Sequence, residues 1–166
     1  MNKPRRVVRG LYLWGGPGRG KTYLIDSFFE CLPFPHKRRV HFHPFMQEVH
    51  AQLRSLPHTP NPLRVVGRRM AEQWRVLCLD EFHVHDIADA MLLAGLLQAL
   101  FDAGITMVAT SNVAPDALYL EGLQRDRFLC AIDLLKTHTA TLHLDSPVDF
   151  RCELLDRGGT YHVLEG

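Results

Sequence analysis

Residues 10–22 read GLYLWGGPGRGKT: an apolar run, a glycine loop and the opening of a helix, in that order. Gly15, Gly16, Pro17, Gly18, Arg19, Gly20, Lys21 and Thr22 fit the spacing of a phosphate-binding loop, G-x-x-x-x-G-K-[ST]. Glycines let a backbone take positive φ and approach a ligand without a Cβ between them, so successive N–H groups turn inward as an anion cradle. The lysine then meets phosphate as a point charge, the threonine hydroxyl suits Mg²⁺, and the helix start adds its positive dipole end. The expected nucleotide-binding set is Gly15 through Thr22 together with Tyr23. Leu11 to Trp14 form the short apolar run of a buried strand, and Tyr23, Leu24, Ile25, Phe28 and Phe29 give helical spacing behind the loop. A dinucleotide fingerprint is excluded, because a G-x-G-x-x-G begun at Gly16 needs glycine where Lys21 stands.

The rest of the chain is organised from this loop. At 166 residues and 46% hydrophobic, the sequence suits one globular domain with a real core. Nineteen Lys and Arg against 18 Asp and Glu leave a net charge of +1, which disfavours nucleic acid; Lys3, Arg5, Arg6 and Arg9 read as a solvated arm. Apolar stretches fall short of a membrane span and the start lacks a signal-peptide core, so a cytoplasmic setting is expected, with membrane contact only through partners. Cys31, Cys78, Cys130 and Cys152 show no C-x-x-C and read as reduced packing thiols.

Past the first helix, Pro33 and Pro35 mark a break, and a second strand is expected over 39–42, with His41 and His43 on one polar face rather than in a zinc site. A helix should follow Pro44. Another runs from Pro62 to Trp74 with Asn61 as its cap, among Arg64, Arg68, Arg69 and Arg75, which read as a solvated face. Val76 to Leu79 is a buried strand ending in Asp80 and Glu81. A carboxylate at a strand's carboxyl end near the loop suits the Mg²⁺ shell, and the next one can orient or deprotonate water. His83 and His85 shape a loop. Asp86 caps an apolar helix that runs to Asp102 and is stopped by Gly104. Ile105 to Ala109 forms the next strand, bringing Asn112 to its tip as a neutral group able to hold a water in line with a γ-phosphate. A short helix over 115–120, a helix over 124–136 behind Arg125 and Arg127, and a strand over 141–144 complete the expected elements. Beyond Pro147 the pattern weakens, and Gly158-Gly159 suggests a hairpin or frayed end.

GLYLWGGPGRGKT, VHFHPFMQEVH, LCLDEF, DIADAMLLAGLLQALF, GITMVATSN and GLQRDRFLCAID together resemble the ZapE cell-division ATPases of bacteria and their mitochondrial Afg1-like, or lactation-elevated, relatives within the AAA+ superfamily. The resemblance covers residues 10–151. It implies an α/β P-loop NTPase core: a five-stranded parallel sheet of order 5-1-4-3-2 with helices on both faces. By motif position Gly15, Gly18, Gly20, Lys21 and Thr22 would be Walker A, Asp80 and Glu81 Walker B, Asn112 sensor 1, and Arg127 or Arg125 the finger reaching a neighbouring subunit. The expected organisation is an arm over 1–9, the core over 10–151, and an extension or truncated link to the lid over 152–166. Family members usually carry an N-terminal segment and a helical lid with a sensor-2 arginine, so a truncated chain or a reduced homologue is expected.

The function these features lead to is a Mg²⁺-dependent ATP hydrolase whose cycle remodels a protein partner. By resemblance the partner is the division ring and its tubulin-like protein FtsZ, with homo-oligomers when the lid is present. Rival readings are a small-molecule phosphotransferase, a nucleotide-dependent binding module without turnover, and a helicase-loader-like nucleic-acid partner.

Overall fold

The computed structural model describes residues 8–18 and 20–144. Arg19, the arm residues before Val8, Cys152 and everything expected beyond Leu144 lie outside the described residues. Five strands, β1 (Gly10–Trp14), β2 (Lys37–His41), β3 (Val76–Asp80), β4 (Thr106–Ser111) and β5 (Thr139–His143), form one sheet of order β2-β3-β4-β1-β5, the expected order read from the other edge. Every pairing is parallel. Parallel neighbours need crossovers, which α1 (Lys21–Cys31), α2 (Phe42–Arg54), α3 (Pro62–Gln73), α4 (Ile87–Asp102) and α5 (Arg125–His138) supply.

Because side chains alternate along a strand, the sheet separates two cores. Leu77, Leu79, Met107, Ala109 and Tyr12 join a large cluster with residues of α2, α3, α4 and α5, among them Phe45, Val66, Leu97 and Phe128. Val76, Cys78 and Val108 face the other way, onto Ile25 of α1, with Leu11, Phe28 and Phe34 packed around them. Gly67, inside α3, has a packing reason: a Cβ there would sit 2.8 Å from the Ala99 carbonyl oxygen, so its absence lets α3 lie directly on α4.

Several expected boundaries shift. The second strand starts at Lys37, and Phe42 already belongs to α2, so Pro44 lies in the first turn of that helix. A proline is tolerated there because its missing N–H would have no partner within the helix. His41 therefore ends a strand while His43 rides a helix, and the two share no strand face. Asn61 does precede α3, but in the left-handed region (φ 49°) and without a side-chain capping bond. Asp86 caps α4 as expected, its carboxylate accepting from the Ala88 N–H at 2.8 Å. The helix after Pro115 is a single 3-10 turn, Pro115–Ala117, and α5 runs to His138 and passes straight into β5. Of the cysteines, Cys78 is buried, and burial pushes its thiol up to about 12; Cys31 and Cys130 are exposed rather than in the core.

Candidate nucleotide site at the carboxyl edge of the sheet

The loop between β1 and α1 owes its shape to glycine. Gly18 and Gly20 hold φ of 77° and 81°, and Gly20 is the residue that starts α1. No side chain caps this helix and its first turn contains no acidic residue, so the positive end of its dipole faces the loop with no carboxylate of that turn against it. Lys21 folds back over the loop: its ammonium donates to the Gly16 carbonyl at 2.9 Å, to that of Gly15, and to Asn112 Oδ1 at 3.3 Å. The last bond spans 91 residues of sequence and joins the loop to the tip of β4.

That junction follows from the sheet order. With β4 between β1 and β3, the carboxyl ends of all three meet on one edge, and Gly15 N–H is bonded to the Ser111 carbonyl at 3.1 Å. Pro17, Gly18, Gly20, Lys21, Thr22, Arg39, His41, Asp80, Glu81, Thr110 and Asn112 line one cavity of about 390 Å³. The structure thus brings Pro17, Gly18, Gly20, Lys21 and Thr22 of the expected loop together with Asp80, Glu81 and Asn112, while Gly15 and Gly16 do not line the cavity. Tyr23 is half exposed and does not line this cavity. Arg125 and Arg127 are not on this cavity. Arg125 is folded onto its own chain, donating to the Asp116 and Leu118 carbonyls, while Arg127 is exposed.

Asp80 and Glu81 are neighbours with opposite environments. Asp80, only 9% exposed, is the last residue of β3 and points toward α1. Glu81 turns into the left-handed region (φ 56°), where its N–H donates to Thr110 Oγ1 at 3.1 Å. Phe82 N–H donates to the Thr110 carbonyl at 2.7 Å, and Ser111 Oγ donates to the Phe82 carbonyl at 2.8 Å. These bonds tie the end of β3 to that of β4 and leave the Glu81 side chain in solvent, with His41 Nδ1 3.5 Å from its Oε2. A second cavity, lined by His43, His83, His85, Asp86 and Asp89, opens beside it and shares Glu81 and Asn112. Asp89 on its wall is bonded to His50 Nε2 at 2.6 Å.

The residues present fit a nucleotide phosphate and a hard divalent cation. The uncapped helix start and positive-φ glycines suit the anion, and a threonine hydroxyl beside a carboxylate is an oxygen donor set of the kind Mg²⁺ takes.

Sequence reading alone missed Arg39, His41 and Thr110. Arg39 Nε donates to Asp80 Oδ2 at 2.7 Å, and its Nη1 pairs with Asp26 of α1. Burial works against the guanidinium charge, but the bonds and charges of Asp80 and Asp26 outweigh it and hold Arg39 above its ordinary value. The signal was present in the expected strand order, which makes β2 the neighbour of β3. Parallel register then sets Arg39 opposite Cys78 and His41 opposite Asp80.

The sequence model of a family described as AFG1-like ATPase matches residues 1–165. The cell division protein ZapE of Escherichia coli K12 is 54% identical over 148 residues, covering 89% of this chain and 40% of the relative. Lactation elevated protein 1 homolog B of Danio rerio is 40% identical over 167 residues, covering 93% of this chain and 33% of the relative. The chain therefore spans two fifths or less of the length of these relatives. Among solved structures, that of DnaI superposes with a TM-score of 0.61 at 18% identity, over 86% of this chain and 76% of that one, a likeness of fold.

Proposed function

The chain belongs to the AFG1-like ATPase family and has the P-loop core of the AAA+ type, and from that premise we propose that it binds ATP with Mg²⁺ and hydrolyses it. The observation that carries the proposal is the Lys21 ammonium lying between the loop carbonyls and Asn112, which puts the phosphate-binding cation and the strand-tip amide on one cavity with Asp80 and Glu81.

In this reading the backbone at Gly18 and Gly20 and the start of α1 hold the phosphates, and Lys21 leaves its loop carbonyls to meet the β- and γ-phosphates. Thr22 and Asp80 would hold Mg²⁺, which supplies charge neutralisation on the phosphate oxygens when bound. Glu81, solvent-facing and held by Thr110 at its backbone, takes the proton of the attacking water, and Asn112 orients that water. Reaction is an in-line displacement helped mainly by fixed charges and dipoles. The finger that completes the site from a neighbouring copy is Arg127, since it is exposed at the start of α5 while Arg125 is engaged with carbonyls of its own chain.

ATP turnover in the whole cytoplasmic protein would drive remodelling of a protein partner. That a 54% identical relative is named a cell division protein supports a partner in the bacterial division machinery, with FtsZ the first to test. The core experiment is Glu81→Gln, expected to keep ATP affinity while slowing hydrolysis by about 10²-fold or more, as loss of a positioned base does. Normal turnover in Glu81→Gln would leave Glu81 as an exposed strand end with no part in the chemistry.

A further inference from the structure

Arg39 is the one strongly basic group that shares the cavity with Lys21 among the described residues, and it is bound to the expected metal ligand. Its strand position explains this. Lys37, Arg39 and His41 alternate onto the face of β2 that looks toward α1; register sets Arg39 opposite Cys78, two residues short of the end of β3, and its side chain reaches forward to Asp80. There it bridges two carboxylates of different character. Asp80 is largely buried, its side chain 12% exposed, whereas that of Asp26 is 52% exposed. Asp26 lies four residues after Thr22 on α1, hence on the same helix face as that hydroxyl.

We propose that Arg39 is the exchangeable counter-ion of Asp80: it neutralises the carboxylate when no cation is present, and a divalent cation arriving beside Thr22 and Asp80 displaces it onto Asp26 alone. The inference rests on the Mg²⁺-nucleotide reading above. A desolvated carboxylate requires a positive partner, and Arg39 is that partner here. A guanidinium and a dication on one carboxylate repel one another, so the two occupancies compete. Asp26 makes exchange feasible, because Arg39 can release Asp80 without losing every anionic contact. A fixed orienting role for Arg39 predicts the opposite response to its removal, and this separates the two.

The experiment is a titration of Mg²⁺ at fixed ADP, reading nucleotide affinity by calorimetry in the wild-type chain, Arg39→Gln and Asp26→Asn. Exchange predicts that Arg39→Gln lowers the Mg²⁺ needed for half-maximal enhancement of ADP binding by about tenfold or more, the scale on which one adjacent charge shifts a carboxylate's affinity for a proton. Asp26→Asn should raise it, since Arg39 then has Asp80 alone. In parallel, the Nε–H resonance of Arg39, identified by its loss in Arg39→Gln or, where that variant does not fold, in Arg39→Lys, should move when Mg²⁺ joins ADP and stay fixed with ADP alone. An Arg39→Gln variant that needs more Mg²⁺ overturns the exchange and makes Arg39 an orienting group. A resonance unmoved by Mg²⁺ also overturns it. If wild-type ADP binding ignores Mg²⁺ altogether, the metal reading fails and the inference falls with it.

Discussion

The two faces of the sheet are built on different principles. Toward α2, α3, α4 and α5 the strands send Tyr12, Leu77, Leu79, Met107 and Ala109 into a broad apolar cluster in which Leu96, Leu97 and Phe128 are fully buried. Toward α1 they send only a small apolar patch, and at the carboxyl end the same face turns polar, with Arg39, Asp80 and Thr110. Even the attachment of α1 is partly ionic: Lys37 caps its last turn through the Phe29 carbonyl and lies 4.5 Å from the Phe29 ring centre, and Arg39 holds Asp26. The large face supplies the stability that lets the small one carry a helix start without a side-chain cap and concentrated charge at its edge. Substitutions on the two faces should therefore separate loss of fold from loss of ligand.

The largest expected effect is on the α1 face. Lys21→Ala removes the phosphate-facing cation and should abolish nucleotide binding measured by calorimetry, with the unfolding midpoint of the ligand-free protein nearly unchanged, since the ammonium bonds to the loop carbonyls and Asn112 at the cavity rather than in the apolar core. Retained ATP affinity would sink the phosphate-loop assignment. On the other face, Leu97→Ala should cost about 2–5 kcal/mol of stability in a denaturant titration, with the nucleotide affinity of the folded protein preserved. A Leu97→Ala protein that is stable but blind to nucleotide would break the division between the faces.

How far the sequence could be read follows the same line. Where structure is decided locally, the reading was sufficient: the apolar strand, glycine loop and helix start around Lys21 stand together in one stretch, and α4 is bounded by the Asp86 cap and by Gly104, whose φ of 90° suits glycine. Where it is decided across strands, the reading slipped. β2 carries Lys37, Arg38 and Arg39 and lacks apolar alternation, so its start is set by pairing with β3 rather than by its own pattern. β5 was begun late because no loop separates it from α5. The family resemblance gave the strand order, yet Arg39 remained unread, because its bond to Asp80 spans 41 residues and depends on register, which composition does not encode. The Lys21–Asn112 contact is likewise long-range, but each of its ends had been marked separately.

A smaller effect tests the capping of the large face. Asp86→Ala removes the carboxylate that accepts from the Ala88 N–H, and about 1 kcal/mol of stability should go with it. Thiol labelling sharpens the same contrast without any substitution. Cys31 and Cys130 should react rapidly with an alkylating reagent near neutral pH, whereas Cys78, beneath α1 and held as a thiol by burial, should be modified only on unfolding. Fast labelling of Cys78 in the native protein would mean that α1 opens readily from the sheet.

The smallest expected effect lies beside the site, at His83. Its ring meets that of His85 edge to face, with 3.9 Å between centroids, and burial, followed by the neighbouring His85 charge, lowers its proton affinity below the ordinary imidazole value. The unfolded chain therefore binds the His83 proton more readily than the folded one, so stability rises with pH through this range. The contribution is present above the ordinary imidazole value near 6.5 and is lost as pH falls through the lower folded value. Denaturant titrations of the wild-type chain and of His83→Asn at pH 7.5 and 5.5 measure it. On acidification the wild type should lose slightly more stability than the variant, by a small margin because His83 is only partly covered. Equal losses would show that neither burial nor the neighbouring His85 perturbs the His83 proton, and would leave the His83–His85 pair on the wall of the second cavity as a packing contact.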